Sequence, residues 1–238
     1  MKQRWTNRRF RALVRHSGPT SLIFRRRVAL IGGAVIVGLV ALIFAWAADG
    51  AGHLFENMVA RYPYAPFVIT PLGFALIVWI TRRFAPLAAG SGIPQVIAAS
   101  RGTSADHRRL VDMPTALLKS VLTTGALLVG ASVGREGPTV QISAALLGWT
   151  HRILQVPMRV TVMIAGGAAG VAAAFNTPLA GITFAIEELA AAYEQRMAML
   201  VITAVIISGM VTLGLAGNYV YFGGGIEARL GVGSAISV

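Results

Sequence analysis

Long apolar runs, separated by short polar or glycine- and proline-rich stretches, dominate the chain. The runs at 28–48, 114–133 and 198–215 have the length that an α-helix needs to cross a bilayer. The alternation of apolar and polar residues that is typical of β-strands persists nowhere, and outer-membrane barrels lack such long apolar runs. The pattern predicts an all-α, polytopic membrane protein.

Several apolar segments are shorter, and each is opened or interrupted by glycine or proline. A helix of nine residues rises only about 13 Å, less than half of the roughly 30 Å hydrocarbon core. Such a helix leaves a terminus inside the membrane, where its backbone groups must meet protein, water or an ion. Broken helices of this kind are typical of transporters. The shorter segments are 85–100, 134–149, 160–175 and 178–189, and a second apolar segment runs from about 66 to 80.

Two of these segments contain similar sequences, GSGIP at 90–94 and GREGP at 134–138. A helix N-terminus carries partial positive charge and N–H groups that suit an anion. Glycine before it lets the backbone approach the ion, and proline in the first turn removes no needed donor. The pair predicts two anion-binding helix ends, although each alone is also typical of a plain turn between helices.

Composition and charge narrow the function. The sequence is 55% hydrophobic and only 13% charged, against about 25% charged in soluble domains, which argues against a soluble enzyme. The net charge of +12 suggests nucleic acid at first, but nine of the 21 basic residues lie within the first 27 positions, next to the apolar run. That arrangement favours a cytoplasmic N-terminus over a nucleic-acid interface. Cysteine is absent and the histidines lack metal-ligand spacing, so we expect no metal, no cofactor and no enzymatic activity.

The two loops, with AAAFNTPLAG at 172–181 and the Glu187–Glu188 pair after it, resemble the CLC family of chloride channels and proton/chloride exchangers. The resemblance covers about residues 28–215 and implies the CLC fold, built from two inverted repeats with half-crossing helices. It implies that the chain has the first repeat only. The third signature loop and the later helix that bears the inner-gate tyrosine are not found.

The resemblance implies an anion site made by both loops. The hydroxyl of Ser91 would bind chloride, with Gly92 and Ile93 beside it. The backbone amides around Arg135, Glu136 and Gly137 would complete the site. Glu136 would be the gate, because its carboxylate occupies the outer anion site and swings away when protonated. Physical chemistry supports this role, since an ionised carboxylate at a helix N-terminus mimics the anion and its desolvation favours protonation. The alternative is a simple charge complement of the helix end.

Two further residues gain roles from the resemblance. Glu188 would relay protons from the cytoplasm, which favours exchange over passive conduction; the alternative is a solvated pair with Glu187 at the membrane surface. Lys119 lies in mid-segment and matches a family lysine near the anion pathway. The alternative for Lys119 is a side chain that snorkels to the surface, and its partner is not identified by the sequence.

We therefore expect a multi-pass protein of the cell (inner) membrane that exchanges H⁺ for Cl⁻. It would comprise a basic cytoplasmic tail (1–27), the N-terminal half of a transmembrane domain (28–215) and the start of a connection to a second half (216–238). Partners would be chloride, protons, the lipid bilayer, a second-half repeat and a second copy docked through 178–189 and 198–215. The alternatives are a passive, voltage-gated chloride channel and a truncated scaffold that does not transport; a soluble nucleic-acid binder is the third.

Overall fold

The computed structural model describes residues 19–101, 109–157, 159–189 and 195–217, with side chains from residue 22 and, in the last range, from 197. These residues form helices and no strands, which confirms the all-α prediction for the described part of the chain. Most of the basic tail before the first apolar run and the glycine-rich stretch 218–238 lie outside it. The helices are α1 (Pro19–Arg61), α2 (Pro66–Phe84), α3 (Ile93–Arg101), α4 (Met113–Leu128), α5 (Glu136–Ile153), α6 (Val160–Phe175), α7 (Pro178–Phe184) and α8 (Gln195–Ala216), with a 3₁₀ turn at Pro86–Ala88 and a π-helical turn at Ala185–Leu189.

Helix α1 is longer than the apolar run that predicts it. The run ends at Ala48, yet the helix continues to Arg61 through residues that the sequence suggests as a polar stretch. Tertiary contacts explain the extension. Asp49 forms an ion pair with Arg135, and the ring of Phe55 packs against Gly130. These partners stabilise the part of α1 after Ala48 as a helix, although this part is too polar for the hydropathy pattern to predict it as a continuation of the helix.

Helix α6 is the centre of the molecule. Every residue from Val162 to Ala174 is buried, and helices α1, α3, α5, α7 and α8 pack around it. Small side chains make this packing possible, because they let helix backbones approach closely. A Cβ atom at Gly166 would lie 2.8 Å from the Cα of Ala144, and one at Gly170 would lie 2.5 Å from Oγ of Ser143. The two glycines therefore provide the small-residue contact between α5 and α6.

Three of the described helices are long and apolar enough to cross a membrane: Leu22–Arg61, Pro66–Phe84 and Met197–Ala216. Helix α2 buries none of its residues within the chain, so its apolar surface is available to lipid. The short helices are also present. Helix α3 has nine residues and α7 has seven, and α4 ends at Leu128, before the apolar run does. Gly130 has a positive φ of 88°, which ends the helical path there.

We predict that Gly170→Ala lowers the stability of the fold, because the added methyl overlaps Ser143 in a packed helix contact. Overpacking of this kind costs about 1–3 kcal/mol. The measurement is the midpoint of thermal unfolding of the purified protein in detergent. Gly125→Ala is the matched control, since a Cβ there meets no atom within 4 Å and alanine favours a helix over glycine. Equal midpoints for the two variants would contradict the packing role of Gly170.

Candidate functional site

The two signature loops touch each other through their backbones. Gly92 has a φ of +112°, and a Cβ atom there would lie 2.5 Å from the carbonyl oxygen of Gly137. Conversely, a Cβ at Gly137 would lie 2.6 Å from the carbonyl oxygen of Ser91. Both glycines are buried, whereas the side chain of Ser91 is exposed. Because any side chain at either glycine would separate the loops, the contact depends on their lack of a Cβ.

The contact brings the N-termini of α3 and α5 to one cavity of about 770 Å³, which we call the Ser91 cavity. Its walls include Ser91, Ile93, Glu136 and Gly137, so four of the predicted anion-site residues line the same space. The positive ends of two helix dipoles meet at this cavity, and that favours negative charge within it. Gly92 lies behind the wall, against α5.

Glu136 is the first residue of α5, and a carboxylate oxygen lies directly over the Cα of Gly134. The side chain is half-buried and borders two cavities. One is the Ser91 cavity. The other, the His53 cavity, has a volume of about 390 Å³ and is lined by Asp49, His53 and Glu56 of α1. Glu136, together with Val133 and Gly134, therefore borders two spaces, of which α2 lines only the Ser91 cavity and α1 only the His53 cavity.

Arg135 is fixed by the polar half of α1. Its guanidinium donates to a carboxylate oxygen of Asp49 at 2.5 Å and to the carbonyl of Ala45 at 3.1 Å. The guanidinium is mostly buried, with 12% of its side chain exposed. Arg135 precedes α5, so this pair anchors the start of the helix and, with it, Glu136. Our sequence analysis missed Asp49, although it is the first acidic residue of the chain and follows a membrane-length apolar run.

Lys119 is buried in α4, with only 3% of the residue exposed. Its Nζ donates to the carbonyl of Ala88 at 2.8 Å and also to the carbonyl of Gly90. Both carbonyls belong to the segment that leads into Ser91, so the ammonium group holds the first loop. This identifies the partner that the sequence left open, and it excludes the snorkelling alternative.

Gln141 is a second residue that the sequence analysis missed. It lies one turn after Gly137, is buried, and its Nε2 donates to the carbonyl of Leu110 at 2.8 Å. Its Cβ lies 3.1 Å from the position that a Cβ of Gly92 would take. A glutamine inside an apolar helix, close to a motif, is the signal that points to such a role. The residue links the start of α5 to the connection between α3 and α4.

The Glu187–Glu188 pair is not brought next to Glu136. Both residues are exposed and belong to the π-helical turn that follows α7. They line a separate space of about 800 Å³, the Glu188 cavity, which shares Ile93 with the Ser91 cavity. Among the residues that the structure describes, no three His, Asp or Glu side chains are grouped to hold a metal ion.

Comparison with known proteins decides the family. The family model described as voltage gated chloride channel matches residues 73–237. This chain belongs to that family, the CLC proteins. The H(+)/Cl(-) exchange transporters ClcA of Salmonella schwarzengrund and Salmonella typhimurium are each 32% identical to it over 213 residues, which cover 84% of this chain and 43% of the relative. A slow cyanobacterial Cl⁻/H⁺ antiporter solved by X-ray crystallography has the same fold, with a TM-score of 0.69 and 25% identity over 82% of this chain and 48% of that one.

The CLC membership confirms the resemblance inferred from the two loops, which lie within the matched residues. It also identifies the chain as an integral membrane protein with the CLC fold. The chain spans less than half the length of the curated relatives that it matches.

We predict that Lys119→Met destabilises the protein, because the variant fills the same space but removes the donor for the buried carbonyl of Ala88 and for the carbonyl of Gly90. The expected loss in the free energy of unfolding is about 1–3 kcal/mol, measured as a lowered thermal midpoint in detergent. Ser120→Ala is the control, since the Ser120 hydroxyl bonds only the carbonyl of Ala116 in its own helix. A midpoint for Lys119→Met as high as that of the control would contradict the anchoring of the first loop by Lys119.

Proposed function

We propose that the chain forms the N-terminal half of a chloride transport pathway that exchanges H⁺ for Cl⁻, with Glu136 as the gate. The observation that carries the proposal is that Glu136 borders both the Ser91 cavity and the His53 cavity. A residue that can close a passage between two spaces, and that carries a titratable carboxylate, has the position that a proton-linked gate requires.

The distribution of basic residues indicates which side of the membrane each cavity would face. Basic residues before α1 favour a cytoplasmic start for this helix, and α2 returns across the membrane after a short turn. The Ser91 cavity is lined by Thr81 and Arg82 at the end of α2, so it would face the cytoplasm. The His53 cavity is lined by the second half of α1, so it would face outward.

Ion exchange would follow from competition between the Glu136 carboxylate and chloride for the outer anion site. An ionised Glu136 carboxylate beside the N-terminus of α5 has the charge of the transported anion and would occupy its outer site. Protonation removes that charge, so the side chain leaves and chloride enters. Ser91, Gly92, Ile93 and the backbone around Arg135 and Gly137 would hold the anion. Each cycle would then couple chloride movement one way to proton movement the other way.

The neighbouring Glu188 cavity supports a route for the proton. It meets the Ser91 cavity at Ile93, so a proton carried by Glu188 would cross only the region around this side chain to approach the anion site. Exposure of both Glu187 and Glu188 equally fits a solvated pair. A direct test of coupling separates these alternatives.

The complete pathway would need a second-half repeat, and the assembly would include a second copy of the chain. In an inverted-repeat transporter the site lies between the repeats, so a second-half repeat would close the Ser91 cavity. A second copy would dock through 178–189 and 198–215, where apolar side chains are exposed. These include Leu179, Ile186, Met199 and Met210. We place the N-terminus in the cytoplasm and the protein in the cell (inner) membrane.

We predict that Glu136→Gln and Glu188→Gln each abolish chloride-driven proton flux while chloride flux persists, because each variant removes a proton carrier but leaves the helix ends in place. The protein is purified through an N-terminal tag from the cells that naturally make it, so that a covalent or associated second half is retained. Chloride and proton fluxes are then recorded together in liposomes.

Glu56→Gln and Glu187→Gln are the matched controls and should keep coupled flux. Normal coupling in Glu136→Gln would contradict the role of Glu136 as the gate. Normal coupling in Glu188→Gln would contradict the proton relay and would support the alternative that Glu187 and Glu188 are a solvated pair. Chloride flux without protons in the unmodified protein would indicate a passive channel instead. No chloride flux at all would indicate a scaffold.

A further inference from the structure

The cytoplasmic end of the Ser91 cavity carries a charged residue that the two signature loops do not include. The last turn of helix α2 contains two consecutive arginines, Arg82 and Arg83. Consecutive residues on a helix point about 100° apart. Arg82 lines the Ser91 cavity together with Val78 of the previous turn, whereas Arg83 does not line it. The guanidinium of Arg83 lies 5.6 Å from the centre of the Phe84 ring instead.

Arg82 differs from the other charges of the cavity. The ammonium group of Lys119 donates to the carbonyls of Ala88 and Gly90, and Glu136 also borders the His53 cavity. Among the described residues, the ion pairs join His53 to Glu56 and Arg135 to Asp49, so Arg82 has no carboxylate partner there. Within the described ranges, no carboxylate is paired with Arg82 to cancel its positive charge.

The walls around Arg82 strengthen its effect. They are largely apolar and include Ile77, Val78, Leu122 and Val133. Low-dielectric walls focus the electric field of a charge in a cleft, and the field raises the local concentration of the opposite ion. An exposed guanidinium in the wall of such a cleft attracts anions toward the two helix N-termini that line the same space.

We propose that the positive charge of Arg82 attracts chloride from the cytoplasm into the Ser91 cavity. This rests on the proposed chloride transport, but not on the proton coupling. Arg82 acts on the approach of the anion, whereas the helix ends bind it. Its removal therefore weakens the apparent affinity for chloride on one side of the membrane only, and leaves the maximal rate and the proton-to-chloride ratio unchanged.

The test uses Arg82→Gln in inside-out membrane vesicles, which expose the cytoplasmic face. The KM for chloride uptake should rise about two- to fivefold at low ionic strength. The rise should disappear when impermeant potassium gluconate is added to 0.5 M, where charges are screened over about 4 Å. Right-side-out vesicles should give an unchanged KM.

Two variants complete the design. Arg83→Gln is the matched control and should leave the KM unchanged, because it removes the neighbouring charge outside the cavity. Arg82→Lys should restore the KM of the unmodified protein, since it keeps the charge. The role of Arg82 is overturned if Arg82→Gln and Arg83→Gln behave alike, if the shift does not depend on ionic strength, or if lysine fails to restore it. Absence of chloride uptake by the unmodified protein would instead overturn the proposed function, and the role of Arg82 with it.

Discussion

The backbone contact between Gly92 and Gly137 is the constraint on which the site depends. It joins two loops that are more than forty residues apart and holds the N-termini of α3 and α5 at one cavity. A membrane interior has no water to satisfy backbone groups, so broken helices are tolerated only where protein or a polar cavity surrounds their ends. The other polar contacts of the site serve this arrangement. Lys119 holds the segment before the first loop, and Arg135, through Asp49, anchors the start of the second.

The local features of the site could be predicted from the sequence because they depend on residue types close together in the chain. Glycine and proline fix where helices α3 and α5 begin. Apolar length predicts the crossing helices α1 and α8, but α2 is longer than its apolar segment and α4 ends before its run does. The run at 160–175 and helix α6 have the same bounds. Membership of the CLC family follows from the two loops, and the family match confirms it.

Contacts between distant residues could not be predicted in this way. The polar half of α1 is helical because Asp49 meets Arg135 and Phe55 meets Gly130, and neither pair leaves a periodic pattern. The role of Arg82 depends on which face of α2 lines the Ser91 cavity, and the role of Gln141 depends on which face of α5 contacts the first loop. The separation of Glu188 from Glu136 is also a result of packing. Glu136 begins α5 and Glu188 lies in the turn after α7, and the sequence around each residue does not indicate how these helices pack.

The central claim is that a halide binds where the two helix N-termini meet. Its most direct measurement is the anomalous scattering of bromide in crystals of the tagged protein, purified with any second half that it retains and grown in bromide. We predict one strong peak in the Ser91 cavity, within hydrogen-bond distance of the Ser91 hydroxyl and beside the start of α5. Crystals in which the cavity has no anomalous peak, while bromide is bound elsewhere, would contradict the account.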